Sequence, residues 1–336
     1  MNKSFNRVVS ISGVLAFCVI VLGAFVRLSD AGLGCPDWPG CYGILVGVPD
    51  TAPAIEMANQ NYDRAVEIGK AWKEMIHRYL AGILGLLVFF IAAWLIRGDK
   101  AGNRQVGYGV VLALALSFQA VLGMWTVTWE LKPLVVMSHL LGGFTLFNLL
   151  GWQWLRSLSN QHQFVHRIPP ALANFSIIVL FALVIQIALG GWVSSNYAAL
   201  ACTEFPHCQG SLWPQDMDFK NGFIMWRGLG VDYEFGVLDH PARLAIHMVH
   251  RAGALVVSSL ILIYAWRLFR AAKDVVPLRR VSLVIVGLLI LQITLGIANV
   301  IGHLPLPVAV AHNGVALLLL FSILSSTYML KSGRYL

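Results

Sequence analysis

Charge is what this chain most lacks. Asp, Glu, Lys and Arg make up 12% of its 336 residues, against about 25% in soluble globular domains. Hydrophobic residues make up 58% and the mean hydropathy is +0.72, so a water-soluble domain is excluded. Acids are scarcer than bases, 16 against 24, for a net charge of +8. The placement of that excess speaks against a nucleic-acid partner and for membrane lipid. Lys3, Arg7, Arg97, Lys100, Arg104, Arg156, Arg167, Arg267, Arg270, Lys273, Arg279, Arg280, Lys331 and Arg334 lie in tails and alternate connections, with Asp99 and Asp274 the acids among them. Low-complexity segments are absent as well.

Eight apolar segments, near 8–27, 72–96, 106–127, 134–155, 171–194, 243–266, 281–301 and 307–330, are long enough to span a hydrocarbon core, which takes about 20 residues of helix. Lipid leaves backbone groups no water, so the expected fold class is all-α, an integral membrane protein of eight transmembrane helices. The basic connections place both termini in the cytoplasm and the long loops 28–71 and 195–242 outside, as in a bacterial inner membrane. The first segment follows a basic start, but its apolar run is too long for a signal peptide and no small-residue cleavage pattern follows. It is read as a retained helix.

Cysteines are few, five in all, and no Cys-x-x-Cys is present. Cys35 and Cys41 in the first outer loop match Cys202 and Cys208 in the second, 167 residues on, each pair with five residues between. An oxidising outer compartment favours a local disulfide in each loop, and a redox-active pair is the sharper alternative. Cys18, within the first helix, reads as a small apolar filler.

The rest of the chain is also written twice. Glu74-Met75-Ile76-His77-Arg78 returns as His247-Met248-Val249-His250-Arg251, and His139 returns as His312, both at an offset of 173. Leu-Gly ends recur at Gly23, Gly123, Gly190 and Gly296, the last three preceded by Gln119, Gln186 and Gln292; these read as helix-packing seams. Residues 1–160 and 161–336 are therefore expected to be tandem four-helix bundles, related by a pseudo-twofold axis along the membrane normal.

Ionisable groups at membrane depth are costly and mark function. His77 with His139, and His250 with His312, fall at matched positions a few residues inside their segments, about 8 Å below the outer surface. Two imidazoles at one depth in a bundle suit the two faces of an iron porphyrin. Two ligands per half are too few for a closed zinc site. Arg78 and Arg251 follow ligand candidates and have the fork geometry for porphyrin propionates; a loop carboxylate is their other natural partner. His162, His166, His207, His240 and His303 lie in connections and read as solvated groups.

This combination of Glu-x-x-His-Arg, the second histidine, the repeat of both, and Cys-x5-Cys outer loops resembles the haem A synthase family over essentially the whole chain. The resemblance implies oxidation of the C8 methyl of haem O to the formyl group of haem A. It implies haem O as substrate in the first half and a resident haem b in the second. Glu74, His77 and His139 are then the catalytic candidates, and His250 and His312 the haem b ligands. Further partners would be the haem O synthase that supplies the substrate and an electron donor or acceptor. A di-haem b-type cytochrome carrying electrons from quinol to an outer acceptor is the alternative. Within the matched motif the halves differ in chemical character at Glu74 against His247. An i,i+3 spacing puts Glu74 on the His77 side of its helix, facing the haem or pairing with Arg78.

Overall fold

The computed structural model describes residues 3–98, 104–158, 162–163 and 169–335. Asp99, Lys100, His166, Arg167 and the boundary near 160 lie outside the described residues. Eight helices in the described residues are long and apolar enough to cross a membrane: α1 (Lys3–Leu28), α3 (Ile68–Arg97), α4 (Val106–Thr128), α5 (Pro133–Leu158), α6 (Pro170–Ser195), α8 (His240–Ala271), α9 (Val276–Ile301) and α10 (Leu306–Ser332). Two shorter helices, α2 (Ala52–Asn61) and α7 (Phe219–Gly222), lie in the long loops. Pro53 in the first turn of α2 presets the helical φ where no donor is needed; reading loop 28–71 as plain connection missed it. A two-residue antiparallel pairing joins β1 (His162–Gln163) to β2 (Arg334–Tyr335).

α1, α3, α4 and α5 pack in a ring, α1 on α3, α3 on α4, α4 on α5 and α5 on α1. α6, α8, α9 and α10 form the same ring, and the two groups meet where α5 touches α6 and α10 touches α1 and α5. The likeness of the halves reaches the backbone. Left-handed φ recurs at Asp30 and Tyr197, at Tyr42 and Gln209, and at the pairs Glu130-Leu131 and His303-Leu304. α3 and α8 start earlier than their apolar runs, at Ile68 and His240, so their first turns stand among the loops. Asp239 caps α8 by accepting the Ala242 N–H at 3.1 Å.

The tightly packed core occupies the ends of the bundles nearer the termini, with Leu84, Val88 and Ile91 on α3, Leu150 on α5, and Ile261 and Tyr264 on α8. The deeply buried Tyr264 hydroxyl is satisfied, meeting Ser326 Oγ at 2.7 Å. The halves close on each other at Gly151, where an added Cβ would come within 2.3 Å of the Phe321 ring. Gly151→Leu is therefore expected to cost about 1–3 kcal/mol by overpacking, read as a lower thermal midpoint in detergent, whereas Gly85→Leu, with nothing within 4 Å, leaves the midpoint unchanged.

The second long loop does not stay over its own half. Lys132, in the α4–α5 turn, donates to the Gly228 carbonyl and lies 3.2 Å from the Trp226 ring centroid. Burial holds its ammonium below the usual lysine range. The Tyr233 N–H donates to the Glu130 carbonyl at 3.1 Å, and the ring packs among Leu33, Val127 and Leu131. Arg64 of the first loop pairs with Asp232 at 2.9 Å and with Glu234.

Candidate functional site

Each of the four histidines rests on one of the four Leu-Gly ends. A Cβ added at Gly23 would lie 2.9 Å from His77 Cε1, and at Gly123 3.1 Å from His139 Cε1. The second half repeats this, with 3.1 Å from Gly190 to His250 and 3.2 Å from Gly296 to His312. The missing side chain lets the imidazole lie against the neighbouring backbone. Read from sequence as packing seams, these glycines are histidine seats, and the signal that reveals it is their one-to-one match with the histidines. The glutamines take part as well. Gln119 and Gln186 donate to the carbonyls of His139 and His250 at 2.9 Å each, and the Gln292 amide meets His312 Nε2 at 3.2 Å.

Within each half the two histidines sit on opposite helices of one four-helix ring, His77 and His139 on α3 and α5, His250 and His312 on α8 and α10. Residues 77–81 of α3, 136–143 of α5, 250–254 of α8 and 295–299 of α9 are half-buried in unbroken runs, at a level the tight core does not reach. The Nδ1 atoms of His77, His139 and His312 are buried without a partner, which is costly unless something else binds the ring. Two imidazoles per half, seated on bare backbone, with the Nδ1 of three of the four unpartnered, fit a flat group taken between two nitrogens.

Above the histidines stand the cysteine loops. Cys35 is bridged to Cys41 and Cys202 to Cys208, and each loop folds back on itself, Cys41 pairing with Ile44 and Cys208 with Ser211. Arg78 and Arg251 hold these loops. Arg78 donates to the carbonyls of Asp37 at 2.9 Å and Gly40 at 2.6 Å; Arg251 donates to the carbonyls of Pro206 at 2.6 Å and Glu204 at 3.2 Å. Propionate pairing would have to use the donors these bonds leave over.

Glu74 is buried and also belongs to this layer. Its Oε2 accepts the Cys35 N–H at 2.9 Å and its Oε1 accepts from Arg78 at 2.5 Å. Because α3 begins at Ile68, residue 74 sits in the turns that meet the loop rather than deeper in the bundle. His247, at the matching position of the second half, makes a different contact, its Nδ1 lying 3.0 Å from the Ala198 carbonyl. Cys18 is exposed on α1 rather than buried as a filler. His240 meets Gln209 at 2.8 Å at an exposed site, away from the four seats.

The family model described as "Cytochrome oxidase assembly protein" (COX15-CtaA) matches residues 6–324. A heme A synthase of Shewanella oneidensis is 48% identical over 94% of this chain and 94% of its own length. Those of Chelativorans sp. and Shouchella clausii are 29% and 26% identical, covering 91% and 98% of this chain and 85% and 98% of their own lengths. The match runs along nearly the whole length, and the chain belongs to the COX15-CtaA family of cytochrome oxidase assembly proteins.

Proposed function

We propose that this protein is a haem A synthase, a membrane oxidoreductase that converts the C8 methyl of haem O to the formyl group of haem A. The observation that carries the reading is the doubled seat, two imidazoles on two glycines in each half. It is joined by the 48% identity to a protein that bears that name. Balanced with water as the oxygen atom, methyl to formyl releases four electrons and four protons. The site therefore needs partners for both.

The first half, residues 1–160, takes haem O between His77 and His139. The second, residues 161–336, holds a resident haem b on His250 and His312, which when bound supplies one-electron transfer. His77 and His139 orient the substrate, and the disulfide loop pinned by Arg78 and Glu74 covers the outer side and limits water. Glu74 offers a carboxylate oxygen one turn from His77 as a proton acceptor. Orientation follows the positive-inside rule, with both termini in the cytoplasm and both cysteine loops on the outer side of the inner membrane. Haem O arrives from the synthase that makes it, and an external redox partner takes up or provides electrons.

Purified protein given haem O is expected to yield haem A in the extracted pigment. His77→Ala and His139→Ala abolish that product while the b-type absorption of the second half persists. A di-haem electron carrier needs the same histidines but leaves no haem A in the extract, so its absence under turnover conditions overturns the proposal.

A further inference from the structure

The first cysteine loop does not stand clear of the membrane; it turns back down the outside of α3. Arg78 holds the Asp37 and Gly40 carbonyls. Past the disulfide, the Gly47 N–H donates to the Tyr79 hydroxyl at 2.8 Å. α3 has 30 residues, about 45 Å of helix, whereas the hydrocarbon core takes about 20 residues. Counted back from Ile96, beside the basic end at Arg97, that length reaches His77, so Tyr79 belongs to the spanning part. Tyr79 shares one helix face with Ile76, Ile83, Leu86 and Phe90. These four are 45%, 51%, 74% and 48% exposed, and in a bilayer they meet lipid. The tip of the loop is therefore tied to the lipid face of α3, near the outer edge of the hydrocarbon.

The tip is also built for that place. No residue between Asp37 and Asp50 is charged. Leu45 is 72% exposed and Val46 81%, more than any other large hydrophobic side chain among the described residues. The surrounding amides are closed from within, as lipid demands. The Tyr42 and Gly43 N–H groups donate to the Asp37 carboxylate at 2.6 and 2.7 Å, and Cys41 and Ile44 exchange main-chain bonds at 2.8 and 3.1 Å.

We propose that Leu45 and Val46 form an interfacial anchor, seated at the boundary between lipid headgroups and acyl chains beside α3. The partner is lipid because the tip continues a helix face that lipid already covers. Tyr79 suits this level, with its ring against acyl chains and its hydroxyl at the wet edge. Burial of two aliphatic side chains there holds the loop as an interfacial segment is held. The loop that gives its Cys35 N–H to Glu74 is then fastened to the bilayer as well as to α3. Leu212 and Trp213 stand 167 residues on from Leu45 and Val46. Ala252, at the place of Tyr79, has no hydroxyl to hold that second tip at this depth, so the anchor belongs to the first loop.

Methyl-resolved solid-state NMR of the unsubstituted full chain tests this, in bilayers of phosphatidylethanolamine and phosphatidylglycerol. The protein is deuterated except at the Leu and Val methyl groups, and Leu45→Ala and Val46→Ala serve only to assign the peaks. Leu86, on the lipid face of α3, is the reference for lipid contact. The Leu45 and Val46 methyls are expected to show cross peaks to lipid acyl methylenes, as Leu86 does. They are expected to lose them when the acyl chains are deuterated. Cross peaks to water with none to acyl methylenes overturn the proposal and leave the tip free for a soluble partner. Cross peaks that survive chain deuteration overturn it too, because their source is then protein. The experiment contains no haem, so its result stands apart from the reading of the histidine sites.

Discussion

Replacing Glu74 with glutamine is expected to cut haem O conversion by about a hundredfold or more, the scale of a lost general base, with haem still bound in both halves. The geometry makes this a sharp experiment. Arg78 keeps its bonds to the Asp37 and Gly40 carbonyls without the carboxylate, and a glutamine oxygen still accepts the Cys35 N–H. The loop therefore stays pinned, and only the charge and the proton-accepting oxygen are removed. A role confined to loop anchoring predicts a change of a few-fold, with the larger loss falling on Arg78→Leu, which frees the loop altogether. Pigment analysis after single turnover, alongside the absorption spectrum for bound haem, separates the two outcomes. Haem A formed at the normal rate by Glu74→Gln removes Glu74 from the chemistry.

The second large effect belongs to a residue with no side chain. Gly190→Val is expected to abolish the b-type spectrum of the second half. A Cβ at Gly190 already comes within 3.1 Å of His250 Cε1, and the two methyl groups of valine leave the imidazole no room on that face. His250 must rotate out of line with His312. Gly287→Val, with nothing within 4 Å of its Cβ, is the control for introducing valine into a transmembrane helix and should keep the full spectrum. Reduced-minus-oxidised difference spectra of the two proteins decide the matter. A normal spectrum for Gly190→Val would mean that His250 does not need the seat it occupies.

The two residues mark where sequence reading succeeded and where it stopped. Eight helices were legible because lipid demands long apolar runs, and the histidines stood out because such groups are rare within them. The cysteine pairs were legible because each is local. The partners of these residues were harder to read. Glu74 is three residues from His77 and four from Arg78, and spacing alone serves either a haem or a loop; the first turns of α3, which meet the first loop, bring it to the Cys35 N–H and Arg78. Gln119 and Gly123 looked like a seam because helix packing and histidine seating ask for the same small and amide residues. The bond between Arg64 and Asp232 joins positions 168 apart and leaves no periodicity to detect.

That long-range crossing changes what a fragment of this gene product amounts to. A break placed between the repeats, in the stretch around 160, looks harmless by sequence, since each piece keeps four helices, two histidines and one cysteine loop. The piece ending there is nevertheless missing a part, because residues 226–234, encoded in the other piece, lie on its α4–α5 turn through Lys132 and Glu130 and on its first long loop through Arg64. Expressed by itself it would present Leu131 and Val127 to water, and co-expression should bring the pieces together through that strap. Two-piece complementation, restored by the intact second piece and lost when Tyr233 becomes Asp, would show that the α4–α5 turn of the first repeat is covered by the second repeat.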